Sequence, residues 1–193
     1  MPPRKLRSPL ALVVLGLLAE ESLHPYAIRV RIGERAHDRL PGVRLPSLYD
    51  VVQRLDGAAL IRAGEPGRAG RRPERVPYLI TAAGREALTG WVAESLADLS
   101  RSDEFPAALS FMYVLGRDRV VEILHTRTAE LAASLAADEA ALAQAEAAGT
   151  APIFLSEHRY QLALRRAQQD WLGTFTEALR AGTLRWPGPP RKD

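Results

Sequence analysis

The chain has 193 residues, with 26 lysines and arginines against 23 aspartates and glutamates, a net charge of +3. That length suits one or two small domains with a real core, and the charge is too mild to name a nucleic-acid partner by itself. There is no cysteine, which excludes disulfide scaffolds, thiolate metal sites and cysteine nucleophiles.

Ser8 and Pro9 open the first predicted helix, Ser8 as N-cap and Pro9 at the first helical position. The run from Leu10 to Ala19 (LALVVLGLLA) is apolar almost all round, so it belongs at the centre of a core. It is too short to span a bilayer. Arg4, Lys5 and Arg7 ahead of it give a superficial likeness to a signal peptide. No clean cleavage segment follows, and the next residues continue a helical fold, so a cytoplasmic protein is expected. The three cations read as either a basic arm or a frayed terminus.

Glu20-Glu21-Ser22 makes a break, and Pro25 opens a second helix to about His37, with Tyr26, Ile28, Val30 and Ile32 as packing positions. Leu40-Pro41-Gly42 ends it. Pro46 opens a third helix over residues 46–57, in which Leu48, Val51, Val52 and Leu55 keep the i, i+3, i+4, i+7 spacing of one buried face. Tyr49, Asp50, Gln53 and Arg54 then fall on the opposite side. Aromatic, amide and guanidinium groups together are what a helix needs to touch phosphates and base edges.

A strand in LIRAGEP (60–66), a loop over 65–74 and a strand over 76–80 follow. Pro77 lacks an N–H and fits only an edge position. Arg68, Arg71, Arg72 and Arg75 crowd the hairpin tip, where neutralising the DNA backbone supplies affinity rather than sequence choice. The charge distribution agrees: residues 1–98 hold 15 basic and 11 acidic side chains, residues 99–193 hold 11 and 12. Thr81 caps a fourth helix to about Leu99. Helix, strand, basic turn, strand is the order of a winged helix-turn-helix.

Beyond it, Phe105 to Leu115 reads as a short apolar helix broken by Gly116. Arg117 to Ala148 is a long alanine-rich helix with Val121, Leu124, Thr128, Leu131, Leu135, Asp138, Leu142 and Ala145 along a coiled-coil-like seam, interrupted at Thr128 and Asp138. After a turn at 149–152, a last helix of about thirty residues carries Tyr160, Leu164, Ala167, Trp171 and Phe175 on one stripe. Two long helices joined by a tight turn cannot bury their stripes alone, so a homodimer through them is expected. The fold class is mainly α: a winged-helix DNA-binding domain over 1–98 with a two-stranded β wing, a helical dimerisation domain over 99–183, and a disordered tail over 184–193.

LGLLAEESLHPYAIRVRI, LPSLYDVVQRLDGAALI and VPYLITAAGREAL, in this order and spacing, resemble the PadR family of transcriptional regulators over about residues 10–90. The most distinctive pieces are His24-Pro25-Tyr26, Ser47-Leu48-Tyr49, and Tyr78 to Thr81 followed by Gly84-Arg85. The resemblance implies a homodimeric DNA-binding protein, mostly a repressor, that dimerises through its helical extension. It makes Ser47, Tyr49, Asp50, Gln53, Arg54 and Tyr26 candidate contacts to operator DNA, with Gln53 and Arg54 as base readers. Ala59 departs from the family, which commonly has glycine before the first wing strand. If that position needs φ > 0, the turn must be rearranged.

Some PadR-like proteins bind planar or phenolic molecules, so Trp91, Phe105, Phe111, Tyr113 and Trp171 are candidate walls of a small-molecule effector cavity. Their alternative is to fill cores and interfaces. His24, His37, His125 and His158 show no metal-ligand spacing, and the pairs Asp103-Glu104 and Asp138-Glu139 read as helix-start or solvated groups. No metal, cofactor or enzyme constellation is expected. The competing function is a helical scaffold or adaptor whose winged helix makes protein contacts.

Overall fold

Ser8 does cap the first helix in the computed structural model, which describes residues 6–65 and 76–187. Its Oγ accepts the Ala11 N–H at 3.1 Å and starts α1 (Pro9–Glu20). All ten residues from Leu10 to Ala19 are buried. Each large aliphatic side chain so buried is worth about 1.5–3 kcal/mol, and a helix apolar on every side needs cover from several elements. Among the described residues the chain divides into two units, 6–115 and 116–187.

In the first unit, α2 (Pro25–Glu34) is capped by His24, whose Nδ1 accepts the Ala27 N–H at 3.0 Å. The helix stops earlier than expected, because Ala36 turns left-handed at φ 54° before a short 3-10 turn, His37–Arg39. Ile28 and Ile32 are buried, whereas Tyr26 and Val30 are 56% and 41% exposed. Two residues along a helix is about 200° of rotation, so the two pairs occupy opposite faces and only one can pack.

Pro46 opens a 3-10 turn, Leu45–Ser47, rather than the α-helix itself. The helix proper is α3 (Leu48–Gly57), with Leu48, Val51, Val52 and Leu55 buried as the spacing requires. Its end explains Ala59. The Ala59 N–H bonds the Asp56 carbonyl at 2.8 Å and the Leu60 N–H bonds the Leu55 carbonyl at 3.0 Å. This is a Schellman closure, whose C′ residue is left-handed and usually glycine. Ala59 adopts that conformation at φ 56°, so the turn is not rearranged; alanine carries the strain.

The strands are shorter than LIRAGEP and VPYLI suggest: β1 (Ile61–Ala63) pairs antiparallel with β2 (Tyr78–Ile80), Ile61 opposite Ile80 and Ala63 opposite Tyr78. Pro77 falls just before β2, where its carbonyl accepts the Gly64 N–H at 2.7 Å. Nor is β2 a plain edge. Tyr78 exchanges both backbone hydrogen bonds with Leu23, at 2.9 and 3.2 Å, which ties the wing base to the link between α1 and α2.

Thr81 caps α4 (Ala82–Ala97) by accepting the Gly84 N–H at 3.0 Å. Gly84 has a reason beyond the cap: a Cβ there would stand 1.9 Å from the Leu60 carbonyl oxygen. Arg85 donates to the Ala19 carbonyl at the end of α1, at 3.2 Å. Arg7 is neither arm nor frayed end. Its side chain, 9% exposed, pairs with Glu94 and Glu104 and donates to Ser95 Oγ at 2.7 Å. Arg4 and Lys5 lie outside the described residues. A 3-10 turn (Leu99–Arg101), α5 (Phe105–Ser110) and a further 3-10 turn (Met112–Leu115) complete the unit.

The second unit is a helical hairpin of α6 (Arg117–Ala147) and α7 (Ser156–Arg180), joined through a 3-10 turn, Pro152–Leu155. Leu124, Leu131 and Leu135 of α6 and Leu162, Leu172, Thr176 and Leu179 of α7 are buried. Arg165 pairs with Asp138, Arg166 with Glu139 at 2.6 Å, and Arg159 with Glu146 at 2.7 Å. Asp138 and Glu139, expected as a solvated or interrupting pair, therefore lock the antiparallel register. Arg127 is buried at 1% exposure, a placement that periodicity gives no sign of. Of the predicted tail, 188–193 lies outside the described residues.

A left-handed alanine costs about 1–2 kcal/mol, partly offset in glycine by its greater unfolded-state entropy. Ala59→Gly is therefore expected to stabilise the protein by about 1 kcal/mol, read as a higher urea midpoint at unchanged m-value.

Candidate nucleic-acid interface

Because α3 spends its apolar face on the core, its polar face is left to solvent. Tyr49 is 54% exposed, and Asp50, Gln53 and Arg54 are exposed beside it. Arg54 Nε lies 3.2 Å from Asp50 Oδ2 and donates to the Asp50 carbonyl at 3.4 Å. Asp50 thus sits in the first helical turn, where an anion suits the helix dipole, and one turn before the guanidinium it orients. Ser47 is exposed and makes no side-chain capping bond. Tyr26 stands on α2, its ring stacked 6.2 Å from that of His24. Arg68, Arg71, Arg72 and Arg75 lie outside the described residues.

The base of the wing is held by one hydroxyl. Thr81 Oγ1 reaches the Ala59 and Leu60 carbonyl oxygens at 2.8 and 3.0 Å while accepting from Gly84. The end of α3, the start of β1 and the start of α4 therefore meet at a single side chain.

A second polar cluster pins the end of α1. Arg35 clamps Glu20 through both guanidinium nitrogens, at 2.9 and 2.6 Å, and Tyr113 donates to the same carboxylate at 2.7 Å. Burial pushes the Glu20 carboxyl up, but the hydrogen bonds from Arg35 and Tyr113 and the arginine charges outweigh it and hold it below its ordinary value. Burial and the bond to Glu20 raise the Tyr113 phenol far above its usual range. Next to them His37 is buried, edge-on to Phe111 with 5.5 Å between ring centroids, and its Nδ1 has no hydrogen-bond partner. Burial first, and then the Arg35 charge, lower its pKa against the opposing pull of Glu20 and Asp38.

Four of the five aromatic candidates belong to the first unit. Trp91, Phe105 and Phe111 are 4%, 6% and 0% exposed, which is the core-filling placement. Phe111 lies over Gly16 of α1, in space that a Cβ there would occupy at 2.3 Å. Tyr113 is half-buried on Glu20. Trp171 belongs to the second unit, half-exposed and stacked on Phe175 at 4.7 Å. Among the described residues no three His, Asp or Glu side chains could hold a metal ion, and no helix is long and apolar enough to cross a membrane.

A helix bare on its polar face, set between α2 and an antiparallel hairpin, defines a winged helix-turn-helix, here in one chain with a long helical hairpin. Residues 14–90 match the family model described as "Transcriptional regulator PadR-like family". Over that segment the chain is similar to the PadR-like transcriptional regulators, a family of DNA-binding proteins rather than enzymes.

Among solved structures it is similar to Bacillus subtilis PadR in complex with operator DNA, at 19% identity and a TM-score of 0.41, over 88% of this chain and 98% of that one. It is also similar to smu.1604c from Streptococcus mutans UA159, at 18% identity and 0.40, over 85% and 96%. A third is the PadR-like transcriptional regulator BC1756 from Bacillus cereus, at 18% and 0.38, over 89% and 98%. No curated protein matches.

His37 gives a pH signature. Its folded pKa lies below its ordinary value of about 6.5, so in acid the unfolded chain binds the proton that the folded one resists. Stability is full above about pH 6.5 and falls as the pH drops through that value. Between about pH 7 and pH 5 the wild-type urea midpoint should fall, and His37→Gln should flatten that fall. An unchanged slope in the variant would remove His37 from the account.

Proposed function

We propose that this protein is a transcriptional repressor that binds operator DNA as a homodimer, laying α3 in the major groove and the arginine-rich wing on the adjacent backbone. The observation that carries the reading is the division of α3: Leu48, Val51, Val52 and Leu55 are buried, and Tyr49, Gln53 and Arg54 are offered outward. Gln53 suits a bidentate contact to adenine, and Arg54 to guanine. Ser47, Tyr49 and Tyr26 supply hydroxyls for phosphates, as the wing arginines Arg68, Arg71, Arg72 and Arg75 supply charge. Asp50 acts by orienting Arg54.

The dimer rests on α7, which has two apolar stripes. One is buried in the hairpin. The other holds Tyr160, Leu164 and Trp171, which are 60%, 49% and 45% exposed, and Ile153 in the 3-10 turn before it is 73% exposed. Large apolar side chains repeating near heptad spacing call for a partner helix, and a second copy supplies the same stripe. Such a dimer reads two half-sites about one turn of DNA apart.

The test is binding to the protein's own upstream intergenic DNA, titrated in salt against random duplex. Competitor-resistant binding with a steep salt slope is expected. Binding that random duplex abolishes equally would favour an adaptor. Gln53→Ala should relax preference at one base position, whereas Arg71→Ala should weaken all sequences alike and lower the salt slope by about one. Leu164→Asp should convert dimer to monomer in light scattering and reduce operator affinity at least about tenfold, or about 1.4 kcal/mol. A persistent dimer would move the interface elsewhere.

A further inference from the structure

The arginines of the first unit fall into two groups. Arg7, Arg31, Arg35 and Arg101 are engaged by carboxylates, Arg85 by the end of α1, and Arg54 by Asp50. Arg29, Arg39 and Arg44 are exposed and make no hydrogen bond or ion pair among the described residues. The contrast is sharp on α2 itself, where Arg31 has two acidic partners, Glu21 and Glu34, and Arg29, two residues away, has none.

The open three share a setting. The stretches that carry them, 22–33 and 39–49, contain no aspartate or glutamate. Arg29 lies one turn from Tyr26 on the exposed side of α2. Arg39 ends the 3-10 turn that follows α2, and Arg44 directly precedes the 3-10 turn that runs into α3. Since α2 packs on α3, all three belong to the helix-turn-helix around the proposed reader helix, and none to the wing. Asp38 is the nearest acidic residue in sequence to Arg39, with no ion pair to it. Arg62 on β1 is also open, but it belongs with the wing.

An exposed guanidinium without a carboxylate partner keeps its positive potential. Three of them, exposed and unpaired along the helix-turn-helix, offer their charge to a phosphate backbone. We infer that Arg29, Arg39 and Arg44 form a second phosphate-binding track on the helix-turn-helix, separate from the arginine wing, that fixes the register of α3 on the duplex. The inference rests on the DNA-binding reading above. Arg31, equally basic in sequence, lies outside the track because its charge is already used.

The test measures binding of wild type, Arg29→Ala, Arg39→Ala, Arg44→Ala, the triple variant and Arg31→Ala to a random-sequence duplex over a range of salt. Each single change should lower the slope of log K against log salt by about one, and the triple change by about three. Arg31→Ala should leave the slope alone, and Arg44→Lys should restore most of what Arg44→Ala loses. Thermal melts check that the variants fold, which exposed side chains at these positions allow. A wild-type slope retained in the folded triple variant would overturn the track and leave the DNA-binding reading standing. A wild type that binds no duplex would overturn both.

Discussion

A helix with no polar side can exist in water only if it is covered all round, and α1 imposes that condition on the whole first unit. Leu10 to Ala19 are buried without exception. Helices α3, α4 and α5 and strand β2 pack on it, and polar side chains secure its ends. Ser8 caps the start, Arg85 takes the Ala19 carbonyl, and Arg35 and Tyr113 converge on Glu20. Helix α3 owes its orientation to this arrangement. Its apolar stripe joins the core, so its remaining face is committed to solvent and to whatever binds there.

Patterns that depend on one residue type at a fixed spacing are legible in the sequence. The apolar run of α1, the Ser8 and Thr81 caps and the split faces of α3 follow from periodicity and capping chemistry alone. What was hidden depends on partners far away in the chain. Nothing local announces that Leu23 bonds Tyr78, that Arg7 lies against Glu94 and Glu104, or that Gly84 must clear the Leu60 carbonyl. Tyr26 and Val30 show the same limit in reverse: α2 has apolar residues on two sides, and only packing selects Ile28 and Ile32. For the site, the face of α3 could be read from spacing, but the open or engaged state of each arginine could not.

Ala59 shows how local chemistry and topology trade against each other. The Schellman closure is set by two backbone hydrogen bonds that tie Ala59 and Leu60, just before β1, back to the end of α3. Thr81 then ties the Ala59 and Leu60 carbonyls to the next helix. With both neighbours held, the backbone conformation at residue 59 is imposed by the fold, and an alanine accepts it at a modest cost. A glycine motif can thus be lost from a sequence while the turn it marks survives.

The same logic separates the two uses of arginine in this chain. In the hairpin, Arg159, Arg165 and Arg166 cross from α7 to carboxylates on α6. Each such exposed pair is worth little by itself, about 0–1 kcal/mol, but together they favour one antiparallel register over its neighbours. On the same hairpin Leu162, Leu172, Thr176 and Leu179 are buried, while Tyr160, Leu164 and Trp171 remain exposed. In the first unit Arg29, Arg39 and Arg44 have no such partner among the described residues. A charge compensated inside the fold specifies the fold, whereas one left uncompensated is available to specify a partner. For an arginine-rich chain of low net charge, pairing therefore says more about function than the total does.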